Sequence, residues 1–320
     1  MNCRICGNAA DNTEYSVKEM MFGLPESFKY LKCGSCGCLQ IEKIPSDMQK
    51  YYPGNYYSYF SLEERPPYKD IFTKFSKAKK DYYAITGLGL TGRLLSLFKK
   101  RREFLMLSNL GLDTRSRILD VGCGNGGKLY SLANAGFKNL LGIDPFIKEG
   151  ISYKIGFEVR KQAIFEIDGI WDLIMFNHSF EHIEESLNVL KKAGSLISDK
   201  GTCLIRIPVS DSYAFEKYGV NWVQLDAPRH FYLHTVKSMG YMAEKAGLRL
   251  DRIEYEGDEF GFWGSEQYAK GINLFSDYSY SVDREKSGFS NDDIDAYKKK
   301  AAELNAEKKG DSAAFYFVKK

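Results

Sequence analysis

The sequence predicts an α/β fold, a doubly wound parallel sheet with its ligand at one edge, preceded by a small cysteine-stapled ribbon. Three observations carry that prediction. Mostly apolar runs at residues 118–121, 139–143, 171–176 and 202–207 alternate with helix-like stretches. Short and apolar on both faces, they suit strands buried inside a parallel sheet. A cluster of glycines (Gly122, Gly124, Gly126, Gly127) follows the first run directly. Glycines there allow positive φ and let backbone N–H groups approach a ligand with no Cβ in the way. Near the N-terminus stand two CxxC pairs, Cys3 with Cys6 and Cys33 with Cys36.

Composition narrows the function classes. The 320 residues are 44% hydrophobic and 27% charged, which is ordinary for a soluble globular chain with a substantial core. A net charge of +3 gives no support for general nucleic-acid affinity. No apolar run approaches the ~18–20 residues that span a bilayer. The opening MNCRICGNAA lacks the basic-then-apolar pattern of a signal peptide, so a cytoplasmic location is expected. Seven cysteines in that setting are thiols or metal ligands rather than disulfides.

Residues 1–45 read as the ribbon. Two residues between paired cysteines let both sulfurs reach one ion, and Gly7 and Gly37 follow the two knuckles. Cys3, Cys6, Cys33 and Cys36 therefore form a tetrahedral S₄ shell for structural zinc, with iron accommodated by the same ligands. Cys38 is an alternative ligand, although Cys36 has the knuckle spacing. Short strands are expected at residues 13–17 and 28–31. Residues 46–110 form an aromatic and helical connector. Its tyrosine-rich start reads as a packed linker or as a lid in which Tyr56 or Tyr57 covers the ligand. A helical pattern over residues 68–110 breaks at Gly87–Gly92, and Lys99, Lys100, Arg101 and Arg102 read as a solvated face.

The main domain occupies residues 111–320. After the glycine loop come a helix at 128–134 and a strand ending on Asp144, about 20 residues past the loop, where a neighbouring strand sets a carboxylate against ribose hydroxyls. A short strand at 157–160 and residues 162–165 follow. The strand at 171–176 runs into Asn177-His178-Ser179-Phe180-Glu181-His182-Ile183, then a helix at 184–197 and the strand at 202–207.

LDVGCGNGG, GIDP and WDLIMFNHSFEHI together resemble the successive motifs of class I S-adenosylmethionine-dependent methyltransferases, over residues 118–208. PRHFYLHT at 228–235 extends the likeness to a bacterial branch. The ribbon ahead of the domain is similar to that of bacterial methyltransferases that include sugar C-methyltransferases. The resemblance implies a Rossmann-like seven-stranded sheet with an antiparallel last strand, closed by strands at 248–255 and 313–318. It also implies S-adenosylmethionine: Gly122, Gly124, Asn125 and Gly126 border its methionine part, and Asp120 orients the loop and faces the amino group. Asp144, followed by Pro145, holds the ribose, Ala163 and Ile164 lie at the adenine, and Asn177 and His178 sit beneath the reacting methyl. Gly122-x-Gly124-x-x-Gly127 also satisfies a dinucleotide pattern. Asp120, the Asp144-Pro145 pair and the EHI turn favour the sulfonium donor.

His230 and His178 are the candidate acid–base residues, because a histidine near the acceptor can take the proton lost on methylation. Arg229 is a candidate anion contact, His182 with Glu181 packs the following helix, and His234 caps or packs near the helix at 235–247. An insertion at 260–311 covers the sheet edge, with Trp263, Glu266 and Gln267 as candidate substrate contacts. The expected function is methyl transfer to a small polar acceptor, such as a sugar or saccharide intermediate. RNA or protein methylation with the ribbon as recognition module is the alternative, disfavoured for RNA by the lack of a basic stripe. A non-catalytic cofactor-binding regulator is the third reading.

Overall fold

A computed structural model describes residues 2–52, 71–98 and 104–320. The expectations for Tyr56, Tyr57 and residues 99–102 lie outside the described residues.

The central sheet is built from β4 (Arg117–Val121), β5 (Asn139–Ile143), β6 (Ile151–Tyr153), β7 (Phe157–Arg160), β8 (Trp171–Asn177), β9 (Ile197–Pro208), β11 (Leu248–Tyr255) and β12 (Ser312–Lys319). Its spatial order is β11-β12-β9-β8-β4-β5-β7-β6. β7, β5, β4, β8 and β9 run parallel, and β12 enters antiparallel between β9 and β11. These are the seven expected strands with the expected antiparallel last strand. An eighth, the three-residue β6, adds an antiparallel edge to β7.

The apolar runs have the burial their composition demands. Leu119, Ile174, Phe176, Cys203 and Ile205 point to one face, beneath α4 (Ser186–Leu196) and α6 (Val236–Lys245). Ile118, Leu173, Met175 and Leu204 point to the other, beneath α1 (Ile71–Thr86) and α3 (Gly127–Asn134). Period-2 alternation inside a wholly apolar run thus feeds two cores, one on each side of the sheet. α2 (Leu90–Phe98) follows α1 after the expected glycine break. Ser290 caps α8 (Asn291–Ala306), its side chain accepting from the backbone N–H of Asp293 at 3.1 Å.

The ribbon is joined to this domain by backbone pairing. β1 (Thr13–Lys18), β2 (Ser27–Lys32) and β3 (Leu39–Ile41) form an antiparallel sheet whose fourth strand is β10 (Tyr232–Leu233). Tyr232 pairs with Gln40 and Leu233 with Leu39. Thr235 Oγ1 donates to the carbonyl of Cys36 at 2.6 Å, so the second cysteine knuckle sits on the N-terminus of α6. From the other side, the N–H groups of Leu274 and Phe275 donate to the carbonyls of Met20 and Met21, tying the segment before β12 to the ribbon.

Candidate active site

The glycine loop leaves β4 at its carboxyl end, and the backbone of Gly122, Gly124 and Gly126 takes φ of 70°, 54° and 78°. A Cβ at Gly122 would stand 2.5 Å from Cβ of Ser179, whose hydroxyl donates to the carbonyl of Val121 at 2.7 Å. Only glycine lets the loop lie this close to the turn after β8. Gly126 serves packing instead. It is the N-cap residue of α3, and a Cβ there would meet Val159 Cγ2 at 2.8 Å.

An open cleft of about 2380 Å³ runs along the carboxyl ends of the strands. Asp120, Gly122, Gly124, Asn125, Asp144, Pro145, Ala163, Ile164, Asn177, His178 and His230 all line it, whereas Gly126 does not. Asp144 accepts the N–H of Gly124 on one oxygen and that of Phe146 on the other, each at 2.9 Å, pinning the loop to the end of β5. Ile164 is buried in a short 3-10 turn and Phe165 beside it is half exposed at 50%. Asp120 is buried, and burial pushes its carboxyl up to about 7.

From Asp120 a polar chain crosses three strands. Asn177 Nδ2 donates to Asp120 at 3.2 Å, Arg206 Nη1 donates to Asn177 Oδ1 at 3.1 Å, and Arg206 grips Glu256 through two bonds of 2.7 and 3.0 Å. Arg206 and Glu256 were not legible as site residues, since each reads alone as a strand or strand-end charge.

The turn after β8 gathers the histidines. His178 takes φ 51° and its ring is nearly half exposed, with Nδ1 3.7 Å from Glu181 Oε1. Glu181 is completely buried, and neither of its oxygens accepts a hydrogen bond among the described residues. Burial pushes its carboxyl up, but His178, His182 and His230 around it outweigh that and hold it down at about 2. His182 Nδ1 lies 2.8 Å from the carbonyl of Arg229, and His230 Nδ1 lies 2.7 Å from that of Gln224. Burial and the neighbouring His182 push His230 down to about 4.

Other expectations are corrected. Arg229 is wholly buried and paired with Glu19 at 2.8 Å and Asp226 at 2.6 Å, so it meets internal carboxylates rather than a ligand anion. Within α7 (Phe260–Ala269), Trp263 packs against Phe260 and Tyr280, and Gln267 bonds Ser279 and Tyr280. Glu266 accepts from the Tyr218 hydroxyl, and none of these three lines the cleft. His234 does pack at the start of α6, with Nδ1 3.1 Å from Ser238 Oγ.

The four ribbon sulfurs converge, all within 4.8 Å of one another, with Cys3–Cys36 at 3.6 Å and Cys6–Cys33 at 3.5 Å. A tetrahedron with Zn–S bonds of ~2.3 Å has S–S edges of about 3.8 Å, so these thiols fit one ion. Cys38 stays outside that group, 3.9 Å from His234 Nδ1.

A profile described as a methyltransferase domain matches residues 93–253, just over half of the chain and the whole of the glycine loop, Asp144 and histidine turn. The chain belongs to the class I S-adenosylmethionine-dependent methyltransferases. The chain is 28% identical to phosphoethanolamine N-methyltransferase 1 of Triticum aestivum over 177 residues, 51% of this chain and 34% of that protein. It is 30% identical to a tRNA U34 carboxymethyltransferase of Cellvibrio japonicus over 139 residues, 37% of this chain and 42% of that one. The chain thus spans less than half the length of these curated relatives. A solved S-adenosylmethionine-dependent methyltransferase from Archaeoglobus fulgidus, 20% identical, is matched over 72% of this chain and 100% of that one with a TM-score of 0.40. No helix among the described residues is long and apolar enough to cross a membrane.

Proposed function

We propose that the methyltransferase moves a methyl group from S-adenosylmethionine to a small polar acceptor held beyond Asn177, between His178, Glu256 and Asp258. A sugar or saccharide intermediate is the acceptor class we favour. The observation that carries this reading is the continuity of one cleft from the glycine loop to that polar wall. The bound cofactor would supply an electrophilic methyl, the new bond forming as the S–C bond breaks and sulfur keeps the electron pair. The chain supplies alignment. Asp120 would meet the cofactor's ammonium, Asp144 its ribose, and Ala163 and Ile164 its adenine, while Gly122, Gly124 and Asn125 would form the loop beneath it.

His178 stands at the mouth of the acceptor side, exposed enough to receive the proton that a hydroxyl or amine loses. His230 is deeper, with its Nδ1–H committed to a carbonyl and only Nε2 left to act. The cysteine shell holds zinc in a structural role. Nine carboxylates line the cleft against the four cations Lys77, Lys128, Lys148 and Arg206, a balance that disfavours a polyanion such as RNA. The knuckle of Cys33 and Cys36 faces α6 rather than a free recognition surface, which further supports a small acceptor. None of the seven cysteines forms a disulfide, which suits a reducing cytoplasm. Incubation with methyl-labelled cofactor and fractionated extract tests the reading. Label in the small-molecule fraction is expected, and label confined to RNA or protein, or cofactor binding without transfer, overturns it.

Asp120 gives a pH prediction. Below about pH 7 the free enzyme holds a proton on Asp120 that must leave before the carboxylate can meet the ammonium. Cofactor affinity is therefore expected to fall as pH drops below 7, by about tenfold per unit at the limit. Calorimetry in two buffers of different ionisation enthalpy should record the released proton. In Asp120→Asn the slope should vanish and affinity at pH 8 should drop about 10–100-fold, the loss of one charge-assisted contact.

A further inference from the structure

We propose a second metal site, separate from the four cysteines, in which Glu181, His182 and His230 bind a divalent transition-metal ion at the acceptor end of the cleft. One ligand atom from each of the three lies within 4.8 Å of the others. The 3.9 Å between His230 Nε2 and Glu181 Oε1 is too long for a hydrogen bond. It falls inside the roughly 3.0–4.2 Å that two donors span around one ion with bonds of about 2.1 Å.

The hydrogen bonds fix which nitrogens are available. A carbonyl only accepts, so the Nδ1 atoms of His182 and His230, facing the carbonyls of Arg229 and Gln224, both carry hydrogen. Each ring is left with its lone pair on Nε2, and a carbonyl behind Nδ1 is the usual device that orients a metal-binding imidazole. Glu181 supplies the independent observation. Its carboxylate is 0% exposed and neither oxygen accepts a hydrogen bond among the described residues, so its buried charge faces only imidazole rings, and a cation between the three side chains would complete it.

Neighbouring charges divide consistently. Asp226 lies 3.8 Å from His230 Nε2 but is engaged by Arg229, and His178 flanks Glu181 from the solvent side. Two imidazoles and one carboxylate are a borderline donor set suited to zinc, iron, cobalt or manganese, and they leave coordination positions open towards the cleft. An acceptor bearing a hydroxyl or carbonyl oxygen could occupy such a position and be oriented there. That last step rests on the methyl-transfer reading, whereas the ion site does not.

Cobalt separates the two metal sites, because only the cysteine shell gives thiolate-to-metal charge transfer. The 320-residue chain with zinc in its cysteine shell is titrated with Co²⁺ and followed by absorption and by metal analysis. The expected result is one added equivalent with weak visible d–d bands and no near-ultraviolet charge transfer. That equivalent should be lost in Glu181→Gln and in His230→Gln while zinc content and far-ultraviolet dichroism persist. Absence of cobalt binding to the wild type overturns the proposal. So does bound cobalt that shows thiolate charge transfer or survives both substitutions. The wild-type titration decides even if a variant fails to fold, and neither readout depends on methyl transfer.

Discussion

Cys33→Ser is expected to strip the ribbon of its metal and to abolish turnover while leaving cofactor binding nearly intact. Structural zinc contributes on the order of 10–16 kcal/mol to the folding of small metal domains. The ribbon has no comparable resource of its own. Its strands are six, six, three and two residues long, and its buried apolar side chains amount to a patch around Ile5, Val17, Tyr30, Leu39 and Ile41. Cys33 also shapes its turn, since Gly37 N–H donates to its carbonyl at 2.9 Å and Cys36 N–H to its sulfur at 3.4 Å. Once the knuckle opens, β10 loses its partner. The Tyr30 hydroxyl no longer holds the carbonyl of His230 at 2.8 Å, and Ile41 N–H no longer meets the carbonyl of Phe231 at 3.0 Å. The histidine loop should then lose its position, whereas the glycine loop, anchored through Asp144 and Ser179, should not. Metal analysis, thermal melting, cofactor titration and turnover on one preparation check this. Metal loss with wild-type turnover would show that the ribbon does not position the site.

That dependence explains what the sequence disclosed and what it withheld. The central strands were legible because each carries a mostly apolar run closed by glycine, aspartate, asparagine or proline, and burial on both faces leaves little room for polar residues. The cofactor side was legible for a related reason. Close backbone approach at Gly122 demands glycine, and the carboxylates at 120 and 144 end strands where apolar residues would otherwise continue. β6 and β10 carried no such signal, since Ile-Ser-Tyr and Tyr-Leu are too short to show a period. The docking of the ribbon was equally hidden. It pairs residues about 200 positions apart, and only tertiary contact selects the partners. By sequence, Glu181 belongs to a helix-packing turn. The sequence offers a carboxylate between Phe180 and His182 with a further histidine three residues earlier, but only the structure shows that solvent never reaches it.

Arg229→Met is expected to destabilise the protein by about 3–5 kcal/mol, the penalty for breaking a buried ion pair from one side. Arg229 is one of the largest fully buried side chains in the described structure. Its guanidinium reaches Glu19 at 2.8 Å from the ribbon, Asp226 at 2.6 and 3.0 Å from its own loop, and the carbonyl of Tyr51 at 3.3 Å. Methionine fills similar volume but leaves two carboxylates without their cation. Glu19 keeps some compensation, because the N–H groups of Met21, Phe22 and Leu24 all donate to it. Glu19→Gln alone should therefore cost less than Arg229→Met. Combining the two should cost less than their sum, since the neutral pair no longer buries the Glu19 charge. Urea denaturation of the four proteins measures the coupling directly. Additive losses would mean that Arg229 is held by Asp226 alone and that the ribbon contact is incidental. A coupling of about 1–3 kcal/mol would assign the arginine beside His230 to the joint between the ribbon and the His230 loop.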